Sequence, residues 1–117
     1  MKGTSIPRLR SDFWVAVLRR RAEAAGAYVS IARRGAEEAG AIFVSVDRRD
    51  GRFDLYGPAP QMAFDEARPS DRLFTQVAHA VTDEELRFRI ERELRFDPDV
   101  WVIDIEDRQG RSFLDVI

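Results

Sequence analysis

The sequence predicts an α+β fold: a mainly antiparallel sheet of four or five strands with two helices on one face, in the order α-β-β-β-β-α-β. Three observations carry that prediction. Residues 39–47 and 52–58 are two β-rich runs around an Asp50-Gly51 step, a strong short-range hairpin signal. Apolar residues at helical spacing precede this hairpin, and a second helical stripe follows it. Near the carboxyl end, residues 100–107 alternate again with the period of a strand.

The first helix opens at Ser11 or Asp12, either of which has a side chain able to cap it. Phe13, Trp14, Val17, Leu18 and Ala25 then form its apolar stripe, and Gly26 supplies a left-handed stop. Arg19, Arg20 and Arg21 lie late in the helix and read as a solvated face near its negative dipole end, with the Arg21 stem along the apolar stripe. Residues 28–33 form the first strand, with Val29 and Ile31 facing the core. In the hairpin, Ile42, Val44 and Val46 share one face, and Phe53 and Leu55 share one face of the returning strand.

Residues 57–71 are the least regular part, because Pro58, Pro60 and Pro69 exclude a continuous helix or a central strand. Residues 72–78 alternate and form a fourth strand. Thr82-Asp83-Glu84-Glu85 is a capping box opening a helix whose buried stripe is Leu86, Ile90 and Leu94. Pro98 stops that helix, and Trp101, Ile103 and Ile105 share one face of the last strand. Phe113 and Leu114 anchor the tail. The expected core is Trp14, Val17, Leu18, Val29, Ile31, Ile42, Val44, Val46, Leu55, Leu86, Ile90, Leu94, Trp101, Ile103 and Ile105.

The chain of 117 residues reads as a single domain, 1–117, with a flexible amino-terminal segment over 1–10. A hydrophobic content of 44% with 34% charged residues is a globular profile rather than a disordered one. The net charge of −2 gives no global electrostatic attraction to nucleic acid or membrane. With no cysteine, disulfides, thiolate nucleophiles and cysteine-zinc sites are excluded, which fits a reducing cytoplasm. Residues 1–11 lack the apolar core of a secretory signal.

No catalytic or metal-binding residues and no cofactor are read from the motifs. His79, the only histidine, has no nucleophile or acid placed beside it by spacing and reads as a surface or structural residue. Asp97, Asp99, Asp104, Glu106 and Asp107 do not match a calcium-loop spacing. There is no phosphate loop, dinucleotide fingerprint or nucleophile elbow. The element order is similar to the core of restriction-endonuclease-like nucleases, and Asp47 and Asp54 occupy plausible acid positions. Tyr56, however, stands where those enzymes need lysine, and Lys2 is the chain's only lysine. That departure sets nuclease chemistry aside.

Two places remain as candidate binding residues. Tyr56 ends the hairpin, and Pro58 and Pro60 restrict the backbone that presents Gln61. Together they offer a hydroxyl and an amide to a small polar ligand or a peptide backbone, or else they bond the loop's own backbone. Arg33 and Arg34, with Arg48, Arg49 and Arg52, are the residues an arginine-mediated binder of nucleic acid or another polyanion would use.

Three segments resemble a known family. They are Arg33-Arg34-Gly35 with Ala39-Gly40-Ala41-Ile42-Phe43-Val44; Leu55-Tyr56-Gly57-Pro58-Ala59-Pro60-Gln61; and Arg95-Phe96-Asp97-Pro98-Asp99 through Trp101 to Glu106-Asp107-Arg108, with Gly110, Arg111 and Phe113 beyond. Their combination is similar to the short, mainly alphaproteobacterial proteins catalogued as domain of unknown function 1491. The resemblance implies a bacterial single-domain protein and carries no catalytic residue, substrate or cofactor with it.

The expected function is a small non-enzymatic interaction module in the cytoplasm, using an open sheet edge or the apolar side of the proline loop. Its partner is an unknown protein or a small polar ligand. Self-association as a homodimer is one form of it, motivated by Tyr28, Phe43 and Val102 pointing away from the expected core. Nucleic-acid binding through the arginines ranks second, since Glu37, Glu38, Asp47 and Asp50 interleave with them. An enzyme with its site near Tyr56 and Gln61 ranks third. No membrane association is expected.

Overall fold

The computed structural model of the chain describes residues 9–60 and 72–117. Its elements are α1 (Ser11–Ala24), β1 (Tyr28–Arg33), β2 (Ile42–Asp47), β3 (Phe53–Pro58), β4 (Leu73–Val81), α2 (Asp83–Phe96), β5 (Trp101–Glu106) and β6 (Asp115–Val116). The fold is α+β, but its sheet has six strands in the order β1-β5-β2-β3-β4-β6 and is mixed. β5 runs parallel to β2, and β6 runs parallel to β4. The hairpin of β2 and β3 is antiparallel as expected, with Val44 opposite Tyr56 and Asp47 opposite Phe53.

β5 enters between β1 and β2, so those two strands never pair. Their connection instead straps the start of β5. The Ala36 amide donates to the Asp99 carbonyl at 3.0 Å, and the Trp101 amide donates to the Ala41 carbonyl at 2.8 Å. Gly35 is required by this close approach: a Cβ there would stand 2.7 Å from Cδ1 of Trp101. Trp101 also turns its indole Nε1 to the Ala36 carbonyl at 2.7 Å.

The two helices cover opposite faces of the sheet, not one face. Val15, Leu18 and Ala22 of α1 pack with Ile42, Val44, Val46, Trp101, Ile103 and Ile105. Leu86 of α2, joined by Ile90 and Leu94, packs with Phe43, Leu55 and Val102. The reason lies in β2 and β5, where Ile42 to Val46 and Trp101 to Ile103 are buried without a break. Strands apolar on both faces need a cover on each. The apolar patch expected from Phe43 and Val102 is therefore the second core, since these residues are 9% and 4% exposed. Tyr28 alone of that set faces solvent, at 70%. Leu55 pairs with Ser45 and so belongs to the α2 layer rather than to the layer of Ile42.

Two details of α1 differ from expectation. Its buried stripe is Ser11, Val15, Leu18 and Ala22, which rotates Val17 out to 51% exposure. Neither Ser11 nor Asp12 caps it; Ser11 is the first helical residue, and its hydroxyl donates to the Gly40 carbonyl at 2.7 Å. The free amides of Ser11 and Asp12 are satisfied by the Glu38 and Glu37 carbonyls, so the β1–β2 connection caps this helix through its backbone. Gly26 follows α1 with φ +96°, the left-handed stop expected of it. At α2 the capping box forms, with Thr82 Oγ1 accepting from the Glu85 amide.

β4 extends to Val81, three residues beyond the expected strand. Its pairing with β3 is irregular near the end, where Ala80 takes φ +51°. The buried Asp54 carboxylate accepts the Ala80 amide at 2.8 Å and stands 3.2 Å from His79 Nδ1 and 3.7 Å from an Arg48 nitrogen. His79 is thus a structural partner on the surface. Phe113 and Leu114 do anchor the tail against the first core, and β6, which was not anticipated, pairs with the first two residues of β4, Leu73 and Phe74, at the far edge. Of the expected flexible segment, residues 1–8 lie outside the described residues, as does the proline-containing stretch beyond Pro60 up to Asp71. Among the described residues no helix is long and apolar enough to cross a membrane.

Candidate interaction site at the first strand

β1 ends the sheet on one side, and among the described residues no strand lies beyond it. Alternate residues of such an edge direct their N–H and C=O groups outward, where another chain can pair with them. Natural edges are usually blunted by shortness, charge, proline or a bulge. The opposite edge follows this rule: β6 is two residues long and covers β4 only at Leu73 and Phe74, and the rest of β4 has an irregular register, a positive φ at Ala80 and its Val77 carbonyl taken by Arg89. β1 is six residues long and has a break in register only between Ile31 and Arg33, at its end.

Above this edge runs a groove of about 700 Å³ between α1 and β1. The helix contributes residues spaced three and four apart, among them Asp12, Ala16, Arg19, Arg20 and Glu23, which share one side of α1. Ile31 and Arg34 come from the sheet edge, and Trp101 from β5 beside it. The floor is apolar and the rim charged. Three of the rim charges are already paired: Asp12 with Arg10 at 3.2 Å, and Glu23 and Arg19 with each other at 3.3 Å. The hydrogen bond from Arg10 draws the Asp12 carboxyl below its ordinary pKa. Among the described residues Arg20 and Arg34 have no carboxylate partner. Arg34 instead rests its guanidinium on the Trp101 ring, 5.0 Å from the centroid.

The residues singled out from sequence are not gathered in one place. Arg33 and Arg34 stand together at the end of β1, both exposed. Arg33 is held by the Pro98 carbonyl at 2.8 Å. Tyr56 is buried in the first core on β3, and its hydroxyl accepts a hydrogen bond from Gln76 Nε2 at 3.2 Å. β5 and β2 separate its strand from β1. Gln61 lies outside the described residues.

The arginines proposed for a polyanion surface are split between opposite ends of the sheet. Arg33 pairs with Val102 at the start of β5, whereas Asp47, just before Arg48, pairs with Glu106 at its end. Arg48 and Arg49 are also near carboxylates, Asp54 and Glu106, both at 3.7 Å. Among the described residues no three side chains of the metal-binding types come together. Sequence reading missed Arg19 and Arg20 as groove residues, because a three-arginine run resembles any solvated helix face. The signal was divergence within the run: Arg21 turns the other way and donates to the Phe113 carbonyl at 2.7 Å.

No protein of curated function matches the chain. The chain is similar to a DUF1491 family protein from Caulobacter crescentus CB15, seen in a crystal structure: 41% identity over 93% of this chain and 97% of that one, with a TM-score of 0.77. A solution structure of a protein from A. tumefaciens shares 43% identity over 94% of this chain and 95% of that one, with a TM-score of 0.82. An NMR structure of a DUF1491 family protein from Caulobacter crescentus CB15 gives 41% identity, coverage of 93% and 96%, and a TM-score of 0.76. The family model described as "Protein of unknown function (DUF1491)" spans residues 9–115, and the chain belongs to that family.

Proposed function

We propose that this chain is a non-enzymatic interaction module that accepts an extended polypeptide segment as an additional strand along β1. The observation that carries this reading is the coincidence of an open six-residue edge with the groove beside it. In strand addition, main-chain hydrogen bonds supply affinity and pockets for alternate side chains supply selectivity. An added strand lies about 4.8 Å beyond β1, and every second side chain faces the α1 side. Those side chains enter the groove over Ile31 and Ala16. The remaining side chains run past Tyr28 on the other face. The cytoplasm is the proposed setting, in keeping with a chain free of cysteine.

The test is selection of extended peptides from a random library on the full chain, followed by NMR mapping with labelled protein. Strand addition is supported by cross-peaks between peptide backbone protons and those of residues 28–33, with shifts along the groove side of α1. Peptides that bind elsewhere, or a library that yields no binder, contradict it.

A further inference from the structure

We infer that the segment β1 takes up is acidic, with a carboxylate side chain in the groove received by Arg20 and Arg34. This inference rests on the strand-addition reading and adds the chemistry of the partner. The groove has five charged residues on its lining, and their pairing is unequal. Asp12 and Glu23 are neutralised by Arg10 and by Arg19. Arg20 and Arg34 line the same groove with no carboxylate partner among the described residues. Arg10 is shared with Glu37 and Glu38, so Arg20 and Arg34 are the lining cations left to receive an anion.

Arg34 is also pre-positioned. Its guanidinium lies over the indole of Trp101, and that indole is fixed by its bond to the Ala36 carbonyl. This cation–π contact holds the guanidinium over the ring, and among the described residues no carboxylate takes its nitrogens, so the fork can make two parallel hydrogen bonds to one carboxylate. A side chain entering from an added strand meets that fork above an apolar floor, where Ile31 and Val15 exclude part of the water. A neutral isostere gains the same floor contacts without the charge-assisted bonds.

A second copy of the chain fits this groove less well. Its own β1 reads Tyr28-Val29-Ser30-Ile31-Ala32-Arg33 and brings a further arginine but no carboxylate. Charge complementarity thus selects a different segment, one with Asp or Glu at alternate positions.

The experiment compares three short, labelled peptides of alternating Val and Thr character that differ at two same-face positions, occupied by Glu, Gln or Lys. Binding to the full chain is measured by fluorescence anisotropy at low and moderate salt, with β1 amide shifts recorded in parallel. The Glu peptide is expected to bind roughly tenfold or more tighter than the Gln peptide. That preference, read as the ratio of Glu-peptide to Gln-peptide affinity within each protein, should shrink with salt and vanish in Arg20→Gln and Arg34→Gln. Arg34→Lys, which keeps the charge but removes the fork, should lose part of it. Equal affinities for Glu and Gln peptides, with β1 amides shifted in both, overturn the acidic assignment and leave strand addition standing. Absence of any β1 shift with all three overturns both. Sedimentation at twice the 13.4 kDa monomer with β1 amides protected makes a second copy the occupant and overturns the assignment as well.

Discussion

Arg34 and Trp101 join the groove to the core: the guanidinium lies 5.0 Å from the centre of a ring that is itself 1% exposed. Trp101 is the first residue of β5, and its Nε1 donates to the Ala36 carbonyl in the strap between β1 and β2. A rim charge therefore rests on a fixed platform. Trp101→Phe removes the indole donor from that carbonyl, which keeps the Gly40 amide at 3.2 Å, and leaves a cavity under the strap, together a loss of about 1–3 kcal/mol. Arg34→Gln removes only an exposed stacking contact, about 0.5–1 kcal/mol. Urea midpoints should rank the two in that order.

Ile103 is fully buried at the centre of β5 and pairs with Val44 on one side and Ile31 on the other. Ile103→Ala should lower stability by about 2–5 kcal/mol through lost burial and a residual cavity. Val17→Ala, on the exposed side of α1, should change it by about 0.5 kcal/mol or less. Denaturant midpoints for the two variants test the rotation of α1 about its axis. Similar losses would return Val17 to the core.

Asp107 carries the acid sensitivity of the carboxyl-terminal tail. Its buried carboxylate takes two hydrogen bonds from the Arg111 guanidinium, at 3.0 and 2.9 Å, and one from the Arg111 amide at 2.8 Å. These interactions, led by the Arg111 side-chain bond, hold its pKa at about 2 against an ordinary 3.8. A depressed folded-state pKa means the contribution is complete above about pH 3.8 and is lost as pH falls toward 2. The expected contribution is about 2 kcal/mol. Asp107→Asn should flatten stability across that window, read from melting temperature against pH. An unchanged acid slope would remove this pair from the account.

Much of the fold was legible because local patterns decide it. The β2–β3 hairpin, the capping box at Thr82 and the stop at Gly26 depend on residues close in sequence. The long-range choices were not so legible. β5 pairs with both β1 and β2 through a strap whose backbone bonds to Asp99, and nothing in the spacing of residues 34–41 marks that partner. The second helix face was readable in principle from Phe43 and Val102. Their alternation admits either a partner surface or an internal cover, and α2 supplies the cover. The groove was hardest to see, because it brings Arg20 of the first helix and Arg34 after the first strand to one lining only once α1 lies on the sheet.

The most direct measurement of the central claim is amide hydrogen exchange of the full chain with and without a selected peptide. Strand addition predicts that alternate amides within Tyr28–Arg33 gain protection, because only those pointing away from β5 meet the new strand. The two-residue β6 edge should stay unchanged. Protection gained at β6 or α2, with β1 exchanging as before, would contradict it.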